Sequence, residues 1–294
     1  MGIVFENDAD GPKARAISPW SPDDARALRQ SGVRRFEVGY GYGDHGFPFK
    51  DGLDRLDDLN VNHLALRSDG DVAALPDLRH LSLGTYSDDA VDFRVFRRLE
   101  RLYLNWRPNA ETAFECPSLR SLSVAGCPLT NLGPLSGLSA LEGLRIASAR
   151  KLISLDGVQH LPNLRTLWLL DDRALVDLEA LADTGSSLTE LWLSSCRKVT
   201  AIDAVARHRD LRRLALIDCG RIASLAPLAG LPMLEEFWFY GTTVIEDGDM
   251  TPLLAMPALQ RVAFAPRRHY THRNEDIERL RGLTESDPLP HWRW

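Results

Sequence analysis

The sequence predicts an α/β solenoid in which short stacked repeats carry a parallel β-sheet on a concave face, with short helical turns or extended segments on the convex side. Three observations predict it. An apolar-x-apolar triplet recurs about eleven times along the 294 residues. Each unit closes on an ending such as "LPDL", "CPSL", "LSAL", "LPNL", "LPML" or "MPAL". Between triplet and ending lies a second apolar pair, as in "RIASLAPLAGLPML". One such unit cannot bury its own leucines, whereas stacked units bury them against each other.

The triplets begin at Phe36, Leu64, Leu81, Leu102, Leu122, Leu144, Leu167, Leu191, Leu214, Phe237 and Val262. From Leu64 onward the interval is 17 to 25 residues, and the first interval, 28 residues from Phe36, reads as an elaborated loop containing "GYGYGDHGFPFKDG". Proline in "LAPLAGL", "LGPLSGL" and "MTPLLAM" suits the first position of a short helical turn. The whole pattern, LxLxx(C/x)xxIxxLxxLxxLPxLxxL, resembles the leucine-rich repeat family, with short units similar to the bacterial internalin-type and SDS22-like subclasses, over roughly Val33 to Phe264. The resemblance implies a leucine-rich-repeat solenoid over residues 33–264 between an N-terminal cap, 1–32, and a C-terminal cap, 265–294. It also places Cys127, Cys196 and Cys219 at the family's inward Asn/Cys position, five residues after the first apolar residue of the triplet. Cys116 takes the leucine place in "CPSL". All four read as buried, reduced thiols, and the absence of any CxxC spacing argues against zinc or a disulfide.

Solenoid ends expose the core and need covering. In "SPDDARALRQSG", Ser21 reads as a helix N-cap, Pro22 as N1, Asp23 and Asp24 as first-turn acids, and Gly32 as the stop. Before it, "VFENDADGPKARAI" reads as a hairpin turning at Asp10-Gly11. At the other end, "NEDIERLRGL" reads as a helix capped by Asn274, with Ile277, Leu280 and Leu283 in one apolar stripe. The closing "PLPHWRW" is expected to fold back, with Trp292 and Trp294 over the final repeat.

Composition bounds the function. With 44% hydrophobic and 26% charged residues the chain reads as an ordinary globular protein, and a net charge of -6 with pI near 5.8 gives no general reason to bind nucleic acid or an anionic membrane. No apolar run is long enough for a membrane span, and the acidic start lacks the basic end of a signal peptide, so a cytoplasmic location is expected. Only Lys13, Lys50, Lys151 and Lys198 are lysines, which suggests a high-GC bacterial source.

Several fragments imitate chemistry without supporting it. "GYGDHG" matches GxGxxG, but Pro48 and Gly52 argue against the helix that would hold a pyrophosphate, leaving a flexible loop. His269 and His272 in "HYTH" lack a third metal ligand and read as polar cap residues. Asp69 to Asp71 and Asp247 to Asp249 read as solvated turns rather than calcium loops. His63 and His80, expected on adjacent strands, have no nucleophile beside them. The expectation is a non-catalytic chain with no cofactor or metal.

The informative row is the middle residue of each triplet, which must face away from the core. It reads Glu37, Ala65, Ser82, Tyr103, Ser123, Arg145, Trp168, Trp192, Ala215, Trp238, Ala263. Three exposed indoles in four consecutive units would form an apolar patch of the kind that soluble monomers rarely leave idle. Glu190, Arg213 and Glu236 flank it on one side and Tyr240 on the other, with Trp106, Asp171 and Asp218 along the sheet's edge. The expectation is therefore a protein or peptide partner gripped on this face. Trp168, Trp192 and Trp238 would be anchors, Tyr103, Trp106 and Tyr240 would extend the surface, and Arg145 and the flanking charges would set partner choice. An adaptor or immunity-type role fits the family's appearance. The alternative is a glycan or other small ligand stacked on the tryptophan row.

Overall fold

A computed structural model describes residues 2–39, 52–64, 66, 68–185 and 188–282, and the chain divides into two compact units, Met1–Ala125 and Gly126–Trp294. The expected "GYGDHG" loop, Ala65, Leu283, Trp292 and Trp294 lie outside the described residues. Among the described residues no helix is long and apolar enough to cross a membrane.

The first unit opens with strands β1 (Ile3–Asp8) and β2 (Gly11–Ala16), an antiparallel hairpin in which Asp8 pairs with Gly11. The turn therefore falls on Ala9 and Asp10, one residue earlier than the sequence suggests, and Gly11 takes the positive φ of 104°. Helix α1 (Pro22–Ser31) follows, with the Asp24 amide donating to the Ser21 hydroxyl and the Ser21 amide to the Asp24 carboxylate. This capping box satisfies otherwise orphaned donors at the first turn. Asp24 also accepts the Gly2 amide at 2.6 Å, tying hairpin to helix.

Strands β3 (Arg35–Val38), β4 (Asp58–Val61), β5 (His80–Leu83), β6 (Arg101–Asn105) and β7 (Ser121–Ala125) then run parallel in chain order, β3 pairing with β2. Here one expectation fails. The second repeat strand is not the triplet at Leu64 but Asp58–Val61, so Asn60 rather than Ala65 stands in the middle row. Leu59 and Val61 are fully buried, whereas Leu64 is 46% exposed. Measured from Leu59 the intervals are 23 residues back to Phe36 and 22 forward to Leu81, so the apparent irregularity disappears. His63 consequently lies after a strand, not on one, and is buried.

The second unit continues with β8 (Gly143–Ala147), β9 (Thr166–Leu170), β10 (Glu190–Ser194), β11 (Arg213–Ile217), β12 (Arg221–Ile222), β13 (Glu236–Tyr240), β14 (Val244–Ile245) and β15 (Arg261–Phe264). Strands β8, β9, β10, β11, β13 and β15 are parallel neighbours, while β12 and β14 form a separate two-stranded pair. Counted from β3, eleven parallel strands carry the repeats among the described residues, which is the fold class that the periodicity predicts. Short 3-10 turns such as Gly133–Leu135 and Ala226–Leu228, and the four-residue helix α2 (Pro252–Ala255), return the chain to the next strand.

Strands β7, β8, β9, β10, β11 and β13 each leave the sheet through one left-handed residue. Gly126, Ser148, Asp171, Ser195, Asp218 and Gly241 all have φ between 50° and 74°. Ser148, Asp171 and Ser195 donate their amides at 2.7–2.8 Å to Leu170, Ser194 and Ile217 carbonyls of the next strand. After all of these but Gly241 the following residue points inward. There Asp172 accepts the Ala149 amide at 2.7 Å, and the Cys219 amide donates to Thr243 Oγ1 at 2.9 Å. The Cys196 and Cys219 thiols lie 3.6 and 3.4 Å from the Leu169 and Leu193 carbonyls. All four cysteines are free and buried, and burial pushes the Cys116 and Cys127 thiols up to about 11 and Cys219 to about 12. Neutral thiols at these positions act as small polar core residues.

The last strand is covered by helix α3 (Asn274–Arg281). Its N-cap is Arg273, not Asn274 as the sequence suggests; Asn274 does something else. Its side-chain amide receives the Phe264 N–H at 3.0 Å and donates to the Phe264 carbonyl at 2.8 Å, standing in for a further strand. Ile277 is fully buried, but Leu280 is 58% exposed, so the expected apolar stripe is not continuous. The "HYTH" residues serve the same end: His269 Nε2 lies 2.9 Å from the Ile245 carbonyl, Tyr270 Oη accepts the Ile245 amide, and Thr271 Oγ1 the Met250 amide.

Candidate functional site

The sheet's two faces differ because side chains alternate along each strand. In β9, Leu167 and Leu169 enter the core while Thr166, Trp168 and Leu170 take the other face; in β10, Glu190, Trp192 and Ser194 do. Register brings Trp168 opposite Trp192, Trp192 opposite Ala215, Ala215 opposite Trp238, and Trp238 opposite Ala263. From Trp168 to Ala263 the row stands in the predicted register.

Its exposure is not. Trp168 is 7% exposed and Trp238 2%, with Trp192 half-buried. Trp168 and Trp192 pack with centroids 5.0 Å apart at an interplanar angle of 41°. Parallel strands stand roughly 4.8 Å apart, so adjacent indoles cannot both stand clear of the sheet and instead lie against one another. The three open indoles expected are therefore replaced by one packed pair, Trp168 and Trp192, and a buried Trp238.

The charges expected to choose a partner are largely committed within the chain. Glu190, 4% exposed, accepts the Trp168 indole N–H at 2.5 Å and meets Arg213 Nη2 at 2.7 Å. Burial pushes the Glu190 carboxyl up, while Arg213 and the indole N–H pull it down. Glu236 lies 3.3 Å from Arg261, and Asp171 2.6 Å from Arg173. Asp218 accepts the Thr242 amide at 2.9 Å and fills the space that a Cβ on Gly241 would need, 2.1 Å from its Oδ1. These acids already have partners within the chain.

Partial exposure remains along the row just after each triplet, where Leu170, Ser194, Ile217 and Tyr240 stand in register. Leu170 and Ile217 are the residues that attention to the tryptophans underrates; their signal is an aliphatic side chain at the outward end of an already satisfied triplet. Arg145, on β8, is also half-buried and stands opposite Trp168.

Tyr103 and Trp106 belong to the first unit. Tyr103 is half-buried on β6, and Trp106 packs against Phe114 with centroids 6.0 Å apart. The same unit has a groove of about 610 Å³ along the starts of its strands, lined by Arg34, Arg35, Asp57, Asp58, His80 and Arg101 among others. Its charges pair internally, Arg35 with Asp8, Asp10 and Asp58, and His80 with Asp58 at 3.3 Å.

One acidic turn is not solvated. Asp69 is 1% exposed and meets Arg107 Nη1 at 2.7 Å, both side chains buried, while Thr85 Oγ1 joins the two and Asp89 receives the Asp69 and Gly70 amides. Sequence alone offers no cue that an arginine 38 residues away neutralises this aspartate.

Comparison with known proteins agrees on architecture. No protein-family model matches the sequence, and no curated protein sequence matches it significantly. Among solved structures, the functional domain of InlJ from Listeria monocytogenes is similar at 17% identity and TM-score 0.53, over 77% of this chain and 48% of that one. The chain therefore spans about half the length of that match. An internalin C2 of the same organism gives 22% identity and TM-score 0.48 over 58% of this chain and 74% of that one, and a leucine-rich-repeat protein of Leptospira interrogans 14% and 0.40 over 90% and 79%. At these identities the likeness is one of fold.

Proposed function

We propose that this chain, whose fold is that of the leucine-rich repeats, is a non-catalytic module that binds a protein or peptide partner on the outward face of its second unit, in an adaptor or immunity-type role. The observation that carries the reading is the partly exposed apolar set of Trp192 in the middle row and Leu170, Ile217 and Tyr240 in the row beside it, gathered over four neighbouring strands on a rigid base. A partly exposed aromatic and aliphatic set on preorganised strands loses little entropy on binding. Arg213, its side chain 43% exposed, and Arg145 supply positive charge at the margin.

Trp168 and Glu190 act beneath this surface, Trp168 packing on Trp192 and Glu190 pairing with Arg213, rather than touching the partner, and Trp238 is buried. That favours a protein over a stacked sugar, because a glycan needs an open indole face and the row offers at most one. The committed state of Glu190, Asp171, Asp218 and Glu236 supports binding rather than acid-base catalysis. A cytoplasmic setting suits four thiols kept free in the core.

The test is a quantitative pull-down from cells of the source organism, comparing wild type with Ile217→Glu and, separately, Trp192→Ala, each first verified as folded by circular dichroism. A protein held by wild type and lost by Ile217→Glu is the expected result. Equal recovery by all three would move the site off this face.

A further inference from the structure

Charge is arranged differently at the two ends of the strands in the second unit. Where the strands begin, opposite charges meet: Arg213 stands 2.7 Å from Glu190, Arg261 3.3 Å from Glu236, and Arg212 pairs with Glu235. Where they end, one sign accumulates. Arg150, Arg173 and Arg197 each stand six residues after the first leucine of their triplet, and Lys151, Lys198 and Arg221 seven after it. Those leucines, Leu144, Leu167, Leu191 and Leu214, are in register on β8 to β11, so the six cations fall in two adjoining columns over four consecutive repeats. All six are exposed.

This ridge is rigid, and it opposes stability. The amides of Ser148, Asp171 and Ser195, bonded to the next repeat at 2.7–2.8 Å, fix successive turns at the strand spacing of roughly 4.8 Å. Like charges carried on neighbouring backbones at that spacing repel. Arg173 is relieved by Asp171 and Arg221 by Glu246, each at 2.6 Å. Arg150, Lys151, Arg197 and Lys198 have no carboxylate partner among the described residues. Composition does not account for the ridge: the chain has a net charge of -6, and two of its four lysines stand here.

Uncompensated cations on a fixed frame attract an anion, and their surroundings select its kind. The ridge borders the apolar row, Leu170 preceding Arg173 by three residues and Ile217 preceding Arg221 by four, with left-handed Asp171 and Asp218 turning the chain between. A phosphate backbone would meet these two carboxylates and leave the aliphatic groups uncovered. A polypeptide that carries both carboxylates and apolar side chains uses the whole edge.

We propose that the edge where β8 to β11 end docks an acidic segment of a protein partner, its carboxylates pairing with Arg150, Lys151, Arg197 and Lys198 and its apolar side chains resting on Leu170 and Ile217. The apolar half of this inference depends on the proposed binding face; the acidic half does not.

The probe is a fluorescein-labelled peptide of three Glu-Leu-Glu-Ser repeats, titrated with the purified full-length chain and read by fluorescence anisotropy, with a glutamine-for-glutamate peptide as control. Wild type is expected to bind the acidic peptide about tenfold more tightly than the control and to lose that advantage as added salt screens the charges. Neutralising the ridge with Arg150→Gln, Lys151→Gln, Arg197→Gln and Lys198→Gln should weaken binding about tenfold, four exposed pairs being lost together. The same change of charge elsewhere, Arg97→Gln, Arg98→Gln, Arg207→Gln and Arg209→Gln, should leave it unaltered. The ridge variant should also melt at a higher temperature in low salt, since repelling charges are gone; a lower Tm with peptide binding retained would make the cations structural and overturn the proposal. Ile217→Ser separates the two ideas. Binding lost in Ile217→Ser and kept in the ridge variant would preserve the binding face and overturn its acidic partner, whereas the opposite pattern would uphold the acidic partner and count against the face. Equal affinity for the two peptides, or tighter binding of a thymidine oligonucleotide than of the acidic peptide, would also overturn the proposal.

Discussion

Asp172 occupies the inward turn position that Cys196 and Cys219 fill one and two repeats later, and a carboxyl there must either be neutral or carry a buried charge. Its Oδ1 accepts the Ala149 amide, and its Oδ2 is buried with no hydrogen-bond partner among the described residues. Burial pushes its pKa up to about 7 from an ordinary 3.8, against the pull of the Ala149 amide. Below about pH 4 folded and unfolded chains both hold the proton, so the site is neutral with respect to folding. Between there and pH 7 only the folded chain keeps it, so stability falls as pH rises, and above pH 7 the full cost, a few kcal/mol, applies. Asp172→Asn keeps the acceptor and removes the charge. It should raise Tm at pH 8 and leave it nearly unchanged at pH 4; thermal melts at the two values check this, and an equal shift at both would mean that charge is not the cause. The position was legible from Leu167 plus five, but its burial energetics were not. The same limit applies to Trp168, Trp238 and Glu190: alternation assigns a side chain to a face and says nothing about how far its neighbours cover it.

Elements were legible where interval and pattern agreed, and misread where two patterns competed. "DLNVNHLAL" contains two apolar-x-apolar triplets, Leu59–Val61 and Leu64–Leu66, and alternation alone cannot separate them. The repeat interval does, because only the first places the strand beside both Phe36 and Leu81. At the far end, sequence signals identified helix α3 but assigned Asn274 its commonest duty, capping. The larger demand there is the open edge of β15, whose unpaired N–H and C=O groups would otherwise invite another strand. Asn274 meets it with both ends of one amide. Asn274→Ala should therefore destabilise by roughly 1–2 kcal/mol, speed amide exchange at Phe264, and leave the helix itself in place because Arg273 and Asp276 still cap it. Chemical denaturation with hydrogen exchange checks both; an unchanged Phe264 exchange rate would show that the side chain is not the edge's partner.

At the scale of the molecule, eleven near-identical strands with no contact required beyond their neighbours make stability a sum of local terms. This explains why fold class was legible and partner identity was not: periodicity is a property of the repeats' shared positions, whereas the recognition proposed above would rest on positions such as Leu170, Ile217 and Arg213 that differ from unit to unit. It also predicts how damage spreads. Leu193 is fully buried on β10, and Leu193→Ala deletes core volume at a cost of about 2–5 kcal/mol. In a single cooperative core that loss would be felt everywhere. In a nearest-neighbour stack it falls on the interfaces that Leu193 helps to build, with Leu169 on β9 and Leu216 on β11, its partners in register. Hydrogen exchange read by mass spectrometry should show Thr166–Leu170, Glu190–Ser194 and Arg213–Ile217 losing protection together, while Arg35–Val38 and Asp58–Val61 in the first unit keep wild-type rates. A uniform loss across both units would mean that the chain unfolds as one body and that the repeats are coupled well beyond their neighbours.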